Sequence, residues 1–196
     1  MVDRLCDLTS RQNTAVSCFY LDFAARKEQS ATNVLGSMLK QMVGGMERIP
    51  DEISRVFQQQ KATIGGLRPQ LVNIVKMIQC IASSRRIFMC LDALDECSGV
   101  ERFRLLDSLK EILDKYPETR IFATGRPHIR AEIISHLAGQ VASVSVDSNR
   151  GDITRYLRFR LGHDETPYAM DESLAAEILG TMSENMSDMY VKAILL

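Results

Sequence analysis

Apolar residues recur along this chain in two rhythms, one of period two and one of helical spacing, and the two take turns. From Ala15 to Leu21, Val16, Cys18 and Tyr20 alternate with Ala15, Ser17, Phe19 and Leu21, which predicts a strand closed by Asp22. Ala31, Val34, Leu35, Met38, Leu39, Met42 and Val43 then follow helical spacing up to Gly44-Gly45. Pro50-Asp51-Glu52 opens a short helix with Ile53, Val56 and Phe57 on its apolar face, and Gly65-Gly66 breaks the chain. Leu67, Leu71, Ile74, Val75, Ile78 and Ile81 make the next helical stripe. It leads into the apolar run Ile87 to Leu91, which suits a strand buried on both faces.

Gly99 to Lys115 predicts another amphipathic helix, stopped by Pro117, and Thr119 to Thr124 a second short buried strand. A helix through Ile129, Ile133, Ile134 and Leu137 comes next. In Val141 to Val146, Ala142, Val144 and Val146 alternate with Ser143 and Ser145, so this strand is expected near a sheet edge with one face wet. Three helices are expected beyond it, near 152–161, 171–182 and 187–196. At the other end, Met1 to Leu8 has the character of the last turns of a helix with no cap before it, so the pattern is expected to begin part-way through an element.

Strands alternating with helices predict an α/β fold with a doubly wound parallel sheet. No repeat, low-complexity tract or linker interrupts it before about residue 148. The change there to helix alone places a domain boundary, with a core at 1–147 and the start of a helical domain at 148–196.

Composition narrows the function classes. Hydrophobic residues at 45% and charged residues at 25% are ordinary for a globular protein, so a packed core is expected. A net charge of −1 supplies no global field for nucleic acid or an anionic membrane. The arginines between Arg150 and Arg160 are better explained as a solvated helix face than as a nucleic-acid patch. Five cysteines without a CxxC pair and three dispersed histidines argue against zinc. No stretch near 18 apolar residues occurs and the start lacks leader character, so a reducing cytoplasmic setting is expected.

The candidate chemistry lies at two strand ends. The strand Ile87 to Leu91 runs into Asp92, Asp95 and Glu96, and open α/β sheets place ligands at such carboxyl edges. One carboxylate there could hold Mg²⁺, a hard cation that takes oxygen ligands, and another could orient or deprotonate water. A buried strand followed by a solvated acidic turn is the plainer reading. The strand one helix later ends in Thr124-Gly125-Arg126-Pro127, and two neighbouring strands delivering polar groups to one edge is a stronger signal than either alone.

Phe19-Tyr-Leu-Asp-Phe23, Leu91-Asp-Ala-Leu-Asp-Glu96, Ala123-Thr-Gly-Arg-Pro127, Asp152-Ile-Thr-Arg-Tyr-Leu157 and Met189-Tyr-Val-Lys-Ala193 together resemble the NACHT-type P-loop nucleoside-triphosphatases of the STAND signalling class. They are most similar to the nephrocystin-like modules of fungal multidomain proteins that carry ankyrin or WD repeats. The resemblance implies that Asp92 helps hold Mg²⁺ and that Asp95 and Glu96 position or activate water. It also implies that Arg126, with Thr124, senses the γ-phosphate of ATP or GTP. A loop arginine paired with Asp95 or Glu96 is the alternative for Arg126. Protein partners are implied as well, through self-assembly or attached repeats.

One part of the family pattern is missing: no G-x-x-x-x-G-K-[ST] loop occurs in residues 1 to 196. Its backbone N–H groups and lysine cradle the phosphates, and Asp92 cannot replace them. The chain alone is therefore expected to bind no nucleotide and to hydrolyse none. A loop-less protein-interaction module derived from such an enzyme is the alternative function. The family's sheet also has a strand feeding that loop, between the Thr119 and Val141 strands. About five residues buried on both faces there would contribute on the order of 10 kcal/mol, so an isolated chain lacking it is expected to be marginal, with open strand edges mid-sheet.

Overall fold

The computed structural model describes residues 13–62, 69–137, 141–146, 150–163, 172–185 and 191–195. The expected helix over residues 1 to 8 and the break at Gly65-Gly66 lie outside them. The chain divides into two compact units, Met1–Ser143 with Ala193–Leu196, and Val144–Lys192.

The first unit follows the predicted alternation. Strand β1 (Thr14–Tyr20) is followed by helices α1 (Ala31–Gly44), α2 (Asp51–Ala62) and α3 (Leu71–Ala82). Strand β2 (Arg86–Asp92), helix α4 (Gly99–Lys115), strand β3 (Arg120–Gly125) and helix α5 (Arg130–His136) come next, and strand β4 (Ala142–Val146) begins in this unit and ends in the second. β1 pairs with β2 and β2 with β3, both parallel, with Cys18 opposite Cys90 and Leu91 opposite Ala123. One face of these strands carries Ala15, Ile87, Met89, Leu91, Ile121 and Ala123, all buried. α1 packs on β1, α3 on β2, and α4 against both helices, so this face joins the helical stripes in one core.

Side chains at strand and helix ends hold this layer in register. Gln41 lies along the outer side of β1, its Oε1 accepting from the Cys18 N–H at 2.9 Å and its Nε2 donating to the Cys18 carbonyl at 2.8 Å. Ser30 caps α1 by accepting from the Asn33 N–H. Glu101 of α4 reaches the same helix start, where its Oε2 accepts from the Ala31 N–H at 2.8 Å. A carboxylate on a first-turn amide satisfies an orphan donor and complements the helix dipole. Glu101→Ala is accordingly expected to lower the unfolding free energy by about 1–2 kcal/mol in a urea titration, and Glu101→Gln, which keeps an oxygen acceptor, by less. Equal losses for the two variants would show that the acceptor is not what matters.

The sheet order is β1-β2-β3-β5-β4, where β5 is Val191–Leu195. Two expectations are corrected here. The segment 187–196 was expected to be helical, yet its Val-Lys-Ala-Ile-Leu stretch is a strand. Short apolar runs satisfy either period, and a pairing site beside β3 decides the matter where periodicity does not. The expected open middle of the sheet is likewise absent, because β5 lies between β3 and β4. β4 ends the strand order, at the edge position that its alternation predicts.

In the second unit, helices α6 (Arg150–Gly162) and α7 (Glu172–Asn185) pack against each other. Among the described residues no helix is long and apolar enough to cross a membrane.

Candidate functional site

β2 and β3 are adjacent and parallel, so both deliver their last residues to the same edge. Thr124 sits one step past the Leu91–Ala123 pair, beside Asp92. Its hydroxyl donates to Asp92 Oδ1 and accepts from the Ala93 N–H at 2.9 Å. One hydroxyl thus has its proton and a lone pair both assigned, which fixes the rotamer of the exposed Asp92 carboxylate. β1 contributes from the other side, where the Leu21 N–H donates to the Asp92 carbonyl at 3.0 Å and extends the ladder past Tyr20.

The chain then turns sharply. Ala93 is the one non-glycine residue with positive φ among those described, at 55°, a left-handed conformation that costs an alanine roughly 1–2 kcal/mol. The turn sets Asp95 and Glu96 in a short 3-10 segment, Leu94–Glu96, facing the end of β3. Asp95 is only 5% exposed and both its oxygens meet Arg126. Oδ1 accepts from the Arg126 N–H at 3.1 Å, and Oδ2 lies 3.4 Å from Nε. Glu96 Oε1 accepts from Arg126 Nη2 at 3.2 Å. Arg126, whose side chain is 67% exposed, is thereby held by two carboxylates. A Cβ at Gly125 would fall 2.7 Å from Ile129 Cδ1 and only in ordinary contact, at 3.5 Å, with Asp95 Oδ1, so the glycine makes room for Ile129 rather than for the ion pairs.

The structure therefore brings all five residues singled out in the sequence to one edge, in two hydrogen-bonded sets. Asp92 and Thr124 form one; Asp95, Glu96 and Arg126 form the other. The ion pairing foreseen as the alternative for Arg126 is present. Sequence reasoning missed Ala93, Gly125 and a cavity of about 360 Å³ on the sheet face beside Asp92 and Thr124. Cys18 and Tyr20 of β1 also line that cavity, as do Cys90 and Phe122, which stand two residues before Asp92 and Thr124 on their strands.

Among the described residues no group of three or more His, Cys, Asp or Glu could hold a metal ion. Asp92 does present a hard oxygen donor at an exposed position, which fits Mg²⁺ held mainly by water and phosphate oxygens.

Residues 1–126 match the family model of the nephrocystin 3 N-terminal domain. The chain belongs to that family. No curated protein and no solved structure matches it. In this nephrocystin 3 N-terminal domain the matched span ends at Arg126, so it contains every residue of the two hydrogen-bonded sets.

Proposed function

We propose that this nephrocystin 3 N-terminal domain is part of a NACHT-type nucleotide-binding signalling module of the STAND class, and that it carries the acidic and sensor half of the site. The observation that carries the reading is the pairing of Asp92 with Thr124 across neighbouring strand ends, with Arg126 poised two residues beyond Thr124. In this reading Asp92 holds Mg²⁺ through water or directly, and the ion when bound neutralises charge on the phosphates of ATP or GTP. Thr124 keeps the Asp92 carboxylate aimed. Asp95, with both oxygens on Arg126, positions that arginine, and Glu96, which meets Arg126 through Oε1, orients water through its second oxygen. Arg126 is mostly exposed, and exposed ion pairs are weak, so a phosphate oxygen can recruit its guanidinium. The phosphate cradle in this reading is supplied by residues other than 1–196, which contain no phosphate-loop sequence.

Titration of labelled ATP in the presence of Mg²⁺ tests the assignment. The chain of 196 residues is expected to show no micromolar binding and no hydrolysis. A chain extended upstream through a glycine-rich lysine loop is expected to bind, and to weaken roughly tenfold or more with either Asp92→Ala or Arg126→Ala. Binding by the extended chain that neither substitution alters would overturn the site. Failure of the extended chain to bind at all would favour a protein-interaction module instead.

A further inference from the structure

Cys18 and Cys90 face each other directly in the parallel β1–β2 register. Registered partners project from the same side of a sheet, and both line the cavity that also receives Asp92 and Thr124. Neighbouring strands lie about 4.8 Å apart, within the roughly 4.4–6.8 Å that separates the Cα atoms of disulfide-linked residues, and closure has to draw the two Cβ atoms in by up to about 1 Å to reach the roughly 3.5–4.5 Å of a disulfide. Gln41 fixes the Cys18 peptide from the outer side through both its N–H and its carbonyl. The spacing of the pair is therefore set by the sheet and clamped at the edge.

We propose that Cys18 and Cys90 form a reactive dithiol site that a low-molecular-weight disulfide closes to a cross-strand disulfide. Cys18 is half-buried and Cys90 is buried, which makes Cys18 the entry point. The Cys18 thiolate attacks one sulfur of the small disulfide, whose S–S bond breaks and releases one small thiol. Cys90 Sγ then attacks the Cys18 sulfur and releases the second. The protein loses two protons and two electrons, and the small disulfide gains them as two thiols. The reduced pair is also the geometry that a trivalent arsenical bridges, forming two As–S bonds and releasing the arsenoxide oxygen as water.

The test is oxidation of the intact 196-residue chain with oxidised glutathione, followed by alkylation, denaturation and proteolytic mapping without reductant. Titratable thiols are expected to fall from five to about three per chain, with the Cys18 and Cys90 peptides joined within one chain. Cys18→Ala is expected to abolish the link and one-to-one capture of phenylarsine oxide, with an unchanged far-ultraviolet circular dichroism spectrum. It is the variant of choice because Cys90→Ser buries a hydroxyl. Both thiols remaining alkylatable after oxidation would overturn the proposal. So would a link from either of them to Cys6, Cys80 or Cys97, a link between chains, or arsenical capture that survives Cys18→Ala.

Discussion

Glu132→Ala is expected to lower the unfolding free energy by about 3–5 kcal/mol, seen in a urea titration as a lower midpoint at unchanged slope. Glu132 of α5 meets Arg102 of α4 in a two-pronged pair, Nε to Oε1 and Nη2 to Oε2, each at 2.8 Å. The two side chains are only 11% and 19% exposed. Arg102 Nη1 also donates to the Cys97 carbonyl at 3.0 Å, which ties the pair to the turn after Glu96. Truncating Glu132 leaves a guanidinium out of water without its counter-ion. Arginine has no escape by deprotonation, and here the hydrogen bond to Glu132 raises its pKa still further. Replacing both partners, as Arg102→Met with Glu132→Leu, removes the stranded charge and is expected to recover most of the loss. A double variant as unstable as Glu132→Ala would show that the pair itself, rather than the orphaned cation, sets the effect.

Ile78→Ala is expected to cost about 2–5 kcal/mol by the same measurement. Ile78 is 0% exposed on α3, the helix that packs against α1, α4 and β2. Its truncation removes three carbons from the centre of the cluster and leaves a void that rigid neighbours on three sides fill poorly. Val72 on the same helix is 61% exposed. Val72→Ala removes two carbons that are already wet and improves helix propensity, so its effect is expected within about 0.5 kcal/mol. Similar losses for both would show that burial of Ile78 is not what sets its cost.

Much of the first unit was legible because its residues obey one period at a time. The stripe from Leu71 to Ile81 and the run from Ile87 to Leu91 leave no competing assignment: Ile74, Val75, Ile78 and Ile81 of the stripe are buried, though Met77 and Gln79 are buried beside them, and in the run all but Phe88 are buried. The acidic tip of β2 was legible for the same reason, since a strand of known end places Asp92 at the sheet edge. What lay hidden depends on contacts distant in sequence. Nothing local marks Ala93 for a left-handed turn, because alanine prefers the right-handed region and the contacts around it, its N–H on Thr124 and Asp95 on Arg126, come from β3 about thirty residues on. Gln41 is one polar residue on a helix until β1 is laid beside it. The stretch Val191–Leu195 satisfied a helical reading and took the other form, since five residues carry too little periodicity to choose.

The clamp at Cys18 also bears on how this molecule behaves in a crowd. β1 closes one end of the sheet, and an uncovered end strand is a template on which another chain can dock and propagate cross-β growth. At the Cys18 rung both hydrogen-bonding groups are already taken by a side-chain amide that mimics a neighbouring strand without offering a ladder to continue. An intruding strand would have to evict Gln41 before it could pair at that rung.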